Sequence, residues 1–372
     1  MGGRNSVLLS SVVRILILKP SALGDVVQAL PVARLLRRFH SGAEIDWWIE
    51  SRLAPLLEHD PDITRLVLFH RQRWSAPWRW HEAVQSVLEL RAARYDLVLD
   101  LQALARSSLV AWLSNPMLVV GLDDPREGAP AFYDVRVPRP SEHAHAIDWY
   151  LDVLRAIHVP VEWDFEWLPK KPDAAARLEA LMPENGTQWI AIQPGANWAN
   201  KRWPPEHFAA LVKHVSSALS NVRFVILGGT TDRALGRIVC SAAPEMCMDM
   251  TGNTTLPELV ECLRRCVVLV GNDSGPMHIA AALGKPVIAM FGPTDPRRTG
   301  PYRQTERVLQ LDLPCVPCMS KRCRISRRMA CLRDLSPEIA ARTLIELLNN
   351  SRLRPRRTAE FGLQLDFPMI IP

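Results

Sequence analysis

The chain is predicted to be an α/β protein of two Rossmann-like domains facing a central cleft. Short apolar runs alternate with stretches of helical periodicity, which predicts parallel sheets covered by helices. The alternation occurs twice, on either side of a stretch rich in proline and aromatic residues. Several runs also end in glycine, acidic or amide residues just before a helix, the composition of a ligand-binding turn at the carboxyl edge of such a sheet.

In the first half, strands are expected at residues 15–18, 45–49, 66–69, 97–101 and 118–120, with helices at 26–38 and 81–92. In the second half they are expected at 189–193, 222–227, 267–270, 287–291 and 308–311, with helices at 205–217, 232–242, 256–265 and 276–283. The resulting division is a first domain over 1–170, a connector over 171–188, a second domain over 189–335, and a closing helix and tail over 336–372. The closing segment is expected to pack back on the first domain.

With 372 residues, 48% of them apolar, the chain can bury two cores. Its net charge of +6 is unevenly spread, with basic islands at Arg71/Arg73/Arg79, Arg297/Arg298, residues 321–328 and residues 352–357. Such islands favour acidic partners: phosphorylated substrates, anionic lipid headgroups or nucleic acid. No run approaches the roughly 20 apolar residues of a membrane span. The apolar segment 7–13 is short for a signal peptide and is interrupted by Arg14. A cytoplasmic protein is expected, with any membrane contact peripheral and its eight cysteines reduced or serving as ligands.

The most informative turn is Val-Gly-Asn-Asp-Ser-Gly-Pro-Met-His at 270–278, followed by Gly-Pro-Thr-Asp-Pro at 292–296. Ser274 suits an N-cap and Pro276 a first helical turn, so the amides from Gly275 to His278 would face an anion such as a diphosphate. Earlier, Lys-Pro-Ser-Ala-Leu-Gly-Asp at 19–25 places Asp25 at a helix start, either as a plain cap or as an ionised general base. After the strand at 189–193 comes a loop holding Gly195, Lys201 and Arg202, where Lys201 is a natural phosphate partner. Asp232 ends the Gly-Gly-Thr-Thr-Asp turn as a cap or a ligand contact.

Taken together, these motifs resemble the heptosyltransferase family of bacterial glycosyltransferases, glycosyltransferase family 9, over nearly the whole chain. The resemblance implies the two-domain glycosyltransferase B fold and an inverting reaction that needs no metal or other cofactor. It implies ADP-L-glycero-D-manno-heptose as the donor, held by the second domain, and a Kdo-lipid A or lipopolysaccharide inner-core acceptor, held by the first. Carried over by motif, Asp25 is the base and Lys201 contacts the diphosphate. Gly195, Asp232, Asp273, Ser274, Gly275, His278 and Thr294 fall on the donor side. Ser21, Gly24, Arg106 and Arg126 fall on the acceptor side. The segments 100–108 and 121–128 are similar to those of the enzymes that add the first heptose, with Arg106 in place of a lysine and Ala103 in place of a glycine. Implied partners are a nucleotide sugar, a lipid-linked acidic saccharide and the cytoplasmic face of the inner membrane, without nucleic acid.

Three alternatives stay open: a transferase of the same fold using another nucleotide sugar or a protein acceptor, a non-catalytic nucleotide- or lipid-binding module, and, on charge alone, a nucleic-acid binder. Cys315, Cys318, Cys323 and Cys331 could hold a structural zinc or iron–sulfur centre, or be disulfides or free thiols. The tryptophans at 74, 78 and 80 are expected to pack under the stems of the neighbouring arginines. His143 and His145 lack a third ligand nearby, and His145 is expected to begin a helix.

Overall fold

The computed structural model describes residues 13–352 apart from 75 and 164; most of the segment 7–13 and of the basic island 352–357 therefore lies outside the described residues. The first half contains strands β1 (Arg14–Leu18), β2 (Glu44–Glu50), β3 (Arg65–Phe69), β4 (Leu97–Asp100), β5 (Leu118–Leu122) and β6 (Val135–Val137). Its helices are α1 (Leu23–Phe39), α2 (Ala54–Leu57), α3 (Trp80–Ala92), α4 (Ala105–Leu113) and α5 (Ala146–Ala156), and α6 (Pro172–Leu181) follows. The second half contains β7 (Gln188–Gln193), β8 (Val222–Ile226), β9 (Cys247–Asp249), β10 (Val268–Asn272), β11 (Val287–Phe291) and β12 (Val308–Gln310). Its helices are α7 (Pro205–Ala218), α8 (Arg233–Cys240), α9 (Leu256–Arg265), α10 (Gly275–Ala282), α11 (Pro296–Thr299), α12 (Ala330–Arg333) and α13 (Pro337–Arg352).

Both sheets are parallel and repeat one topology. The orders are β3-β2-β1-β4-β5-β6 and β12-β11-β10-β7-β8-β9. In each, the first strand of the half sits beside the fourth, so the order reverses between β1 and β4 and between β7 and β10. Connections from those strands leave in opposite directions and open a crevice at their carboxyl ends. The loops after β1, β7 and β10 are the motifs singled out above.

Continuous apolar runs form these strands because both faces are covered. In β1, Ile15 and Ile17 face the cluster under α1 and α5, while Leu16 and Leu18 face the cluster under α3 and α4. In β7, Ile190 and Ile192 join the outer core of the second half, and Ala191 joins the inner one. The inner cluster is shared: it runs from α1 and α5 through to Leu259 and Leu263 of α9 and Met277 and Ile279 of α10. The short edge strands β6 and β9 escape the sequence expectation, since three residues carry too little periodicity to be read.

The connector begins earlier than 171–188. Residues 157–171 cross between the halves without regular structure, and α6 opens the second half with Pro172 in its first turn and Leu178 buried. The crossing segment is held from both sides: Arg34 of α1 donates to the Trp167 carbonyl at 3.0 Å, and Arg264 of α9 donates to the Leu168 carbonyl at 2.7 Å. Arg34 is itself buried in a two-pronged pair with Asp60, at 2.5 and 2.6 Å.

The closing helix also departs from expectation. α13 packs on α7 of the second half, where Ala340, Leu344 and Leu348 share a core with Leu211, Val212 and Val215. Its apolar stripe is complementary to α7, so the second half keeps its own terminal helix. Leu344→Ala should lower unfolding free energy in urea by about 2–4 kcal/mol, the usual range for a large-to-small change in a core.

Candidate active site

The site is assembled where α1 and α10 meet. Gly24 of α1 is buried against the His278 ring; a Cβ built on Gly24 would lie 2.4 Å from His278 Cδ2. Gly275 mirrors it, since a Cβ there would lie 2.8 Å from Leu23 Cδ2. Two helix N-termini from opposite halves therefore touch, and only glycines allow the approach. Each end presents unpaired amides and the positive pole of its dipole, so the space between them is suited to an anion.

Asp25 stands in this junction. Its Oδ2 accepts a hydrogen bond from the Ala22 amide at 3.0 Å, so it does cap its own helix. The capping bond occupies one carboxylate oxygen and orients the other. Below it, Lys19 is buried, donates to the Leu101 carbonyl at 2.7 Å and lies over the Tyr150 ring. Burial pulls the Lys19 ammonium down, but Tyr150, Asp25 and Asp100 outweigh it and its pKa is raised. A permanent cation thus sits behind the acidic turn.

His278 behaves oppositely. Burial brings its pKa down to about 4, against the pull of Asp273 and Asp25. The ring is neutral at physiological pH and adds no charge to a junction that already carries two positive helix ends.

On the second-half side, Lys201 Nζ pairs with Asp273 Oδ2 at 2.6 Å and lies 4.6 Å from the Trp198 ring centre. Thr294 donates its hydroxyl to the same carboxylate oxygen at 2.6 Å. Lys201, Asp273 and Thr294, read from three separate motifs, converge on one point. Ser274 precedes α10 in extended conformation, but its hydroxyl makes no cap; its Oγ is buried with no partner among the described residues. The expected Ser274 cap is thus not formed, and its hydroxyl is left for a ligand.

A hollow of about 360 Å³ opens beside this point. Gln193, Gly195, Gly228, Asp232, Ser274 and Gly275 line it from the second half, and Leu23 enters from the first. Asp232 accepts from the Gly229 amide at 3.0 Å, and a Cβ on Gly195 would fall 2.5 Å from Asp232 Oδ2. Gly195 is therefore the price of seating Asp232 as a cap at the pocket wall. The Gln193 Oε1 atom is also buried with no partner among the described residues. Larger hollows of about 510 and 420 Å³ lie near the crossing segment and beside β3, away from the strand ends that carry these groups.

The acceptor-side positions are less convergent. Ser21 and Gly24 lie at the junction, while Arg106 begins α4 on the exposed surface with its guanidinium 5.2 Å from the Phe69 ring centre. Arg126 is paired with Asp124 at 2.6 Å. The Asp100 carboxylate in the neighbouring motif is buried and structural: burial raises its pKa, opposed by Tyr133, whose hydroxyl donates to it at 2.8 Å, and by loop amides.

Sequence reasoning missed three groups. Asn272 ties the turn together, accepting from the Trp203 amide at 2.9 Å and donating to the Pro194 carbonyl at 2.9 Å. Lys19 gives no sequence signal of its burial, because a lysine beside a loop is ordinarily solvated. His143 and His145, set aside as an incomplete metal pair, bridge the halves: His143 Nδ1 lies 3.1 Å from Asp295 Oδ2, and His145 Nε2 lies 3.1 Å from the Gly300 carbonyl. His145 also begins α5 as expected, its ring accepting from the Ile147 amide. Burial lowers its pKa, opposed by the Gly300 carbonyl and Asp148, which matches a neutral ring donating from Nε2. Asp148 accepts from Tyr302 across the same seam at 2.6 Å.

The four clustered cysteines carry free thiols, and among the described residues no three His, Cys, Asp or Glu side chains are arranged to hold a metal. The Met329 amide lowers the Cys323 pKa, whereas burial and the three neighbouring thiols raise Cys331 to about 11.

The two sheets and the cleft between them match the glycosyltransferase B fold. The structure of E. coli ADP-heptose lps heptosyltransferase II is similar, with TM-score 0.72, 23% identity, and 91% of this chain and 99% of that one covered. E. coli heptosyltransferase WaaC with ADP is similar with TM-score 0.69 and 21% identity over 91% of this chain and 99% of that one. Residues 69–328 match the family model for glycosyltransferase family 9 (heptosyltransferase). The chain belongs to glycosyltransferase family 9. Pseudomonas aeruginosa lipopolysaccharide heptosyltransferase 1 is 26% identical, with 96% of this chain and 99% of that one covered. Haemophilus influenzae lipooligosaccharide heptosyltransferase 2 is 27% identical over 90% of this chain and 99% of its own length.

The depressed His278 pKa makes stability depend on pH. Below about 6.5 the unfolded chain takes up a proton that the folded chain refuses until about 4, so unfolding free energy should fall as pH drops through that window. The shift corresponds to at most about 3 kcal/mol. Urea titrations at pH 7.5 and 5 should show a smaller loss in His278→Gln than in the parent protein.

Proposed function

We propose that this glycosyltransferase moves heptose from ADP-L-glycero-D-manno-heptose to a Kdo-lipid A or lipopolysaccharide inner-core acceptor, with inversion and without a metal. The observation that carries the proposal is the junction of α1 and α10, which sets Asp25 of one half against the anion-binding turn of the other. Family membership supports heptose as the sugar. The solved relative with ADP and the likeness to lipopolysaccharide heptosyltransferases support the nucleotide and the acceptor class.

In this mechanism the nucleotide occupies the hollow beside Gly195, Asp232 and Ser274, and its diphosphate reaches the α10 N-terminus. Asp25 takes the proton of the acceptor hydroxyl as that oxygen bonds to the anomeric carbon. The bond from that carbon to the β-phosphate oxygen breaks on the opposite face, and ADP leaves with the electron pair. Lys201, the Ser274 hydroxyl and the α10 amides stabilise the charge that develops on the leaving phosphate. At rest Asp273 neutralises Lys201, so the diphosphate competes with a carboxylate that Thr294 also holds. Arg126 and Arg106 draw the acidic acceptor toward the first half.

Asp25→Asn should reduce transfer by about 10²–10⁴-fold while ADP binding by calorimetry is retained. Full activity in that variant would remove Asp25 from the mechanism. Lys201→Ala should lower kcat by on the order of 10²-fold. A panel of ADP-heptose and other nucleotide sugars, with Kdo-lipid A and its heptosylated form as acceptors, tests the substrates. Transfer from another donor, or to neither acceptor, would overturn the proposed pair.

A further inference from the structure

The outer face of the first half is unlike the rest of the surface. Of the thirteen large apolar side chains that stand exposed among the described residues, seven fall between positions 78 and 117. They are ordered rather than scattered. On α3, Trp80, Val84 and Leu88 recur every fourth residue and are 62%, 57% and 59% exposed, while Leu90 on the opposite side is buried. On the adjacent α4, Leu109 and Trp112 are 43% and 57% exposed, and Val110 and Ala111 between them are buried. Both helices cover the same face of the first sheet, over the cluster that includes Phe69, Leu90 and Val110. Trp78, ahead of α3, is 77% exposed. Only Trp74 of the three interleaved tryptophans packs inward, against Phe69 and with its Nε1 donating to Glu82.

The charge around this face is net positive. Residues 71–94 contain five arginines and two glutamates. Arg73 and Arg79 share Glu82, at 2.9 and 3.1 Å, so that group of three keeps a net positive charge. Arg91 stands exposed on α3 and Arg106 on α4. An apolar helical stripe with tryptophans at its border and arginines around it is the composition of a helix lying in a membrane interface.

We infer that the exposed faces of α3 and α4 form a docking surface for a bilayer of anionic phospholipid. The tryptophans and aliphatic side chains enter the headgroup and acyl boundary, and the arginines pair with lipid phosphates. Both helices begin at the carboxyl ends of their preceding strands, the edge that opens on the cleft, so a docked bilayer lies beside the acceptor side of the site. The inference deepens the lipid-linked acceptor reading and rests on it for the direction from which that acceptor arrives.

The test uses the full chain and vesicles without sugar donor or acceptor, so its failure and the failure of the transfer reading are separate results. Co-sedimentation should show binding to vesicles of phosphatidylglycerol and phosphatidylethanolamine, weakened by salt, and little binding to phosphatidylcholine alone. The triple variant Trp80→Ser, Val84→Ser, Leu88→Ser should lose binding by about tenfold or more. Its circular dichroism and urea midpoint should match the parent, because the three side chains are exposed; a second variant, Arg91→Glu, should lower binding without touching the apolar stripe. No binding by the parent, or parental binding by both variants, would overturn the inference. So would a parental dimer in sedimentation that the triple variant dissolves, because the stripe would then be covered by a second copy.

Discussion

Two helix N-termini in contact form the constraint on which the rest of the structure depends. α1 and α10 come from different halves, and their first turns meet through Gly24 against His278 and Gly275 against Leu23. Like dipole ends repel, so such a contact needs compensation. Asp25 supplies one negative charge at the α1 end, the His278 ring stays neutral, and Asp273 holds Lys201 in a closed pair. With Lys19 buried behind the turn, the junction keeps a net attraction for an anion.

The same contact sets how the halves relate. Arg34 and Arg264 grip successive carbonyls of the crossing segment, one from each half. A second seam holds His143, His145 and Asp148 against Asp295, Gly300 and Tyr302. The arrangement brings Asp25 of the first half beside the turn at 274–278 of the second. The polar contacts of the seam lie at the rim of an apolar cluster that both halves share. The shared apolar cluster under α1 and α10 keeps the two bodies in register.

Much of this was legible in the sequence. The long strands and the helices that follow them are continuous apolar runs and amphipathic stripes, and each is recognisable without its neighbours. The turns that carry Asp25, Lys201 and Asp273 stand out because glycine, proline and acidic residues at a strand end have few structural reasons to coincide. The misses have physical causes. Prolines at the start of α6 conceal its Ala174 and Leu178 stripe, and the amphipathic pattern of α13 does not say which surface it covers. Trp78 and Trp80 were expected to be covered by neighbouring arginine stems, yet those residues remain exposed.

The sequence by itself determined two parallel α/β halves and the chemistry held at the carboxyl ends of their strands, because apolar period and turn composition are local properties. Tertiary structure decided which of those residues meet. Lys201 and Thr294 are drawn from distant loops to the Asp273 carboxylate, Ser274 loses its capping role and keeps a hydroxyl with no partner among the described residues, and two histidines become a bridge between halves. Pairing over such separations depends on the strand order and on the close approach that Gly24 and Gly275 permit, neither of which is written in any one segment.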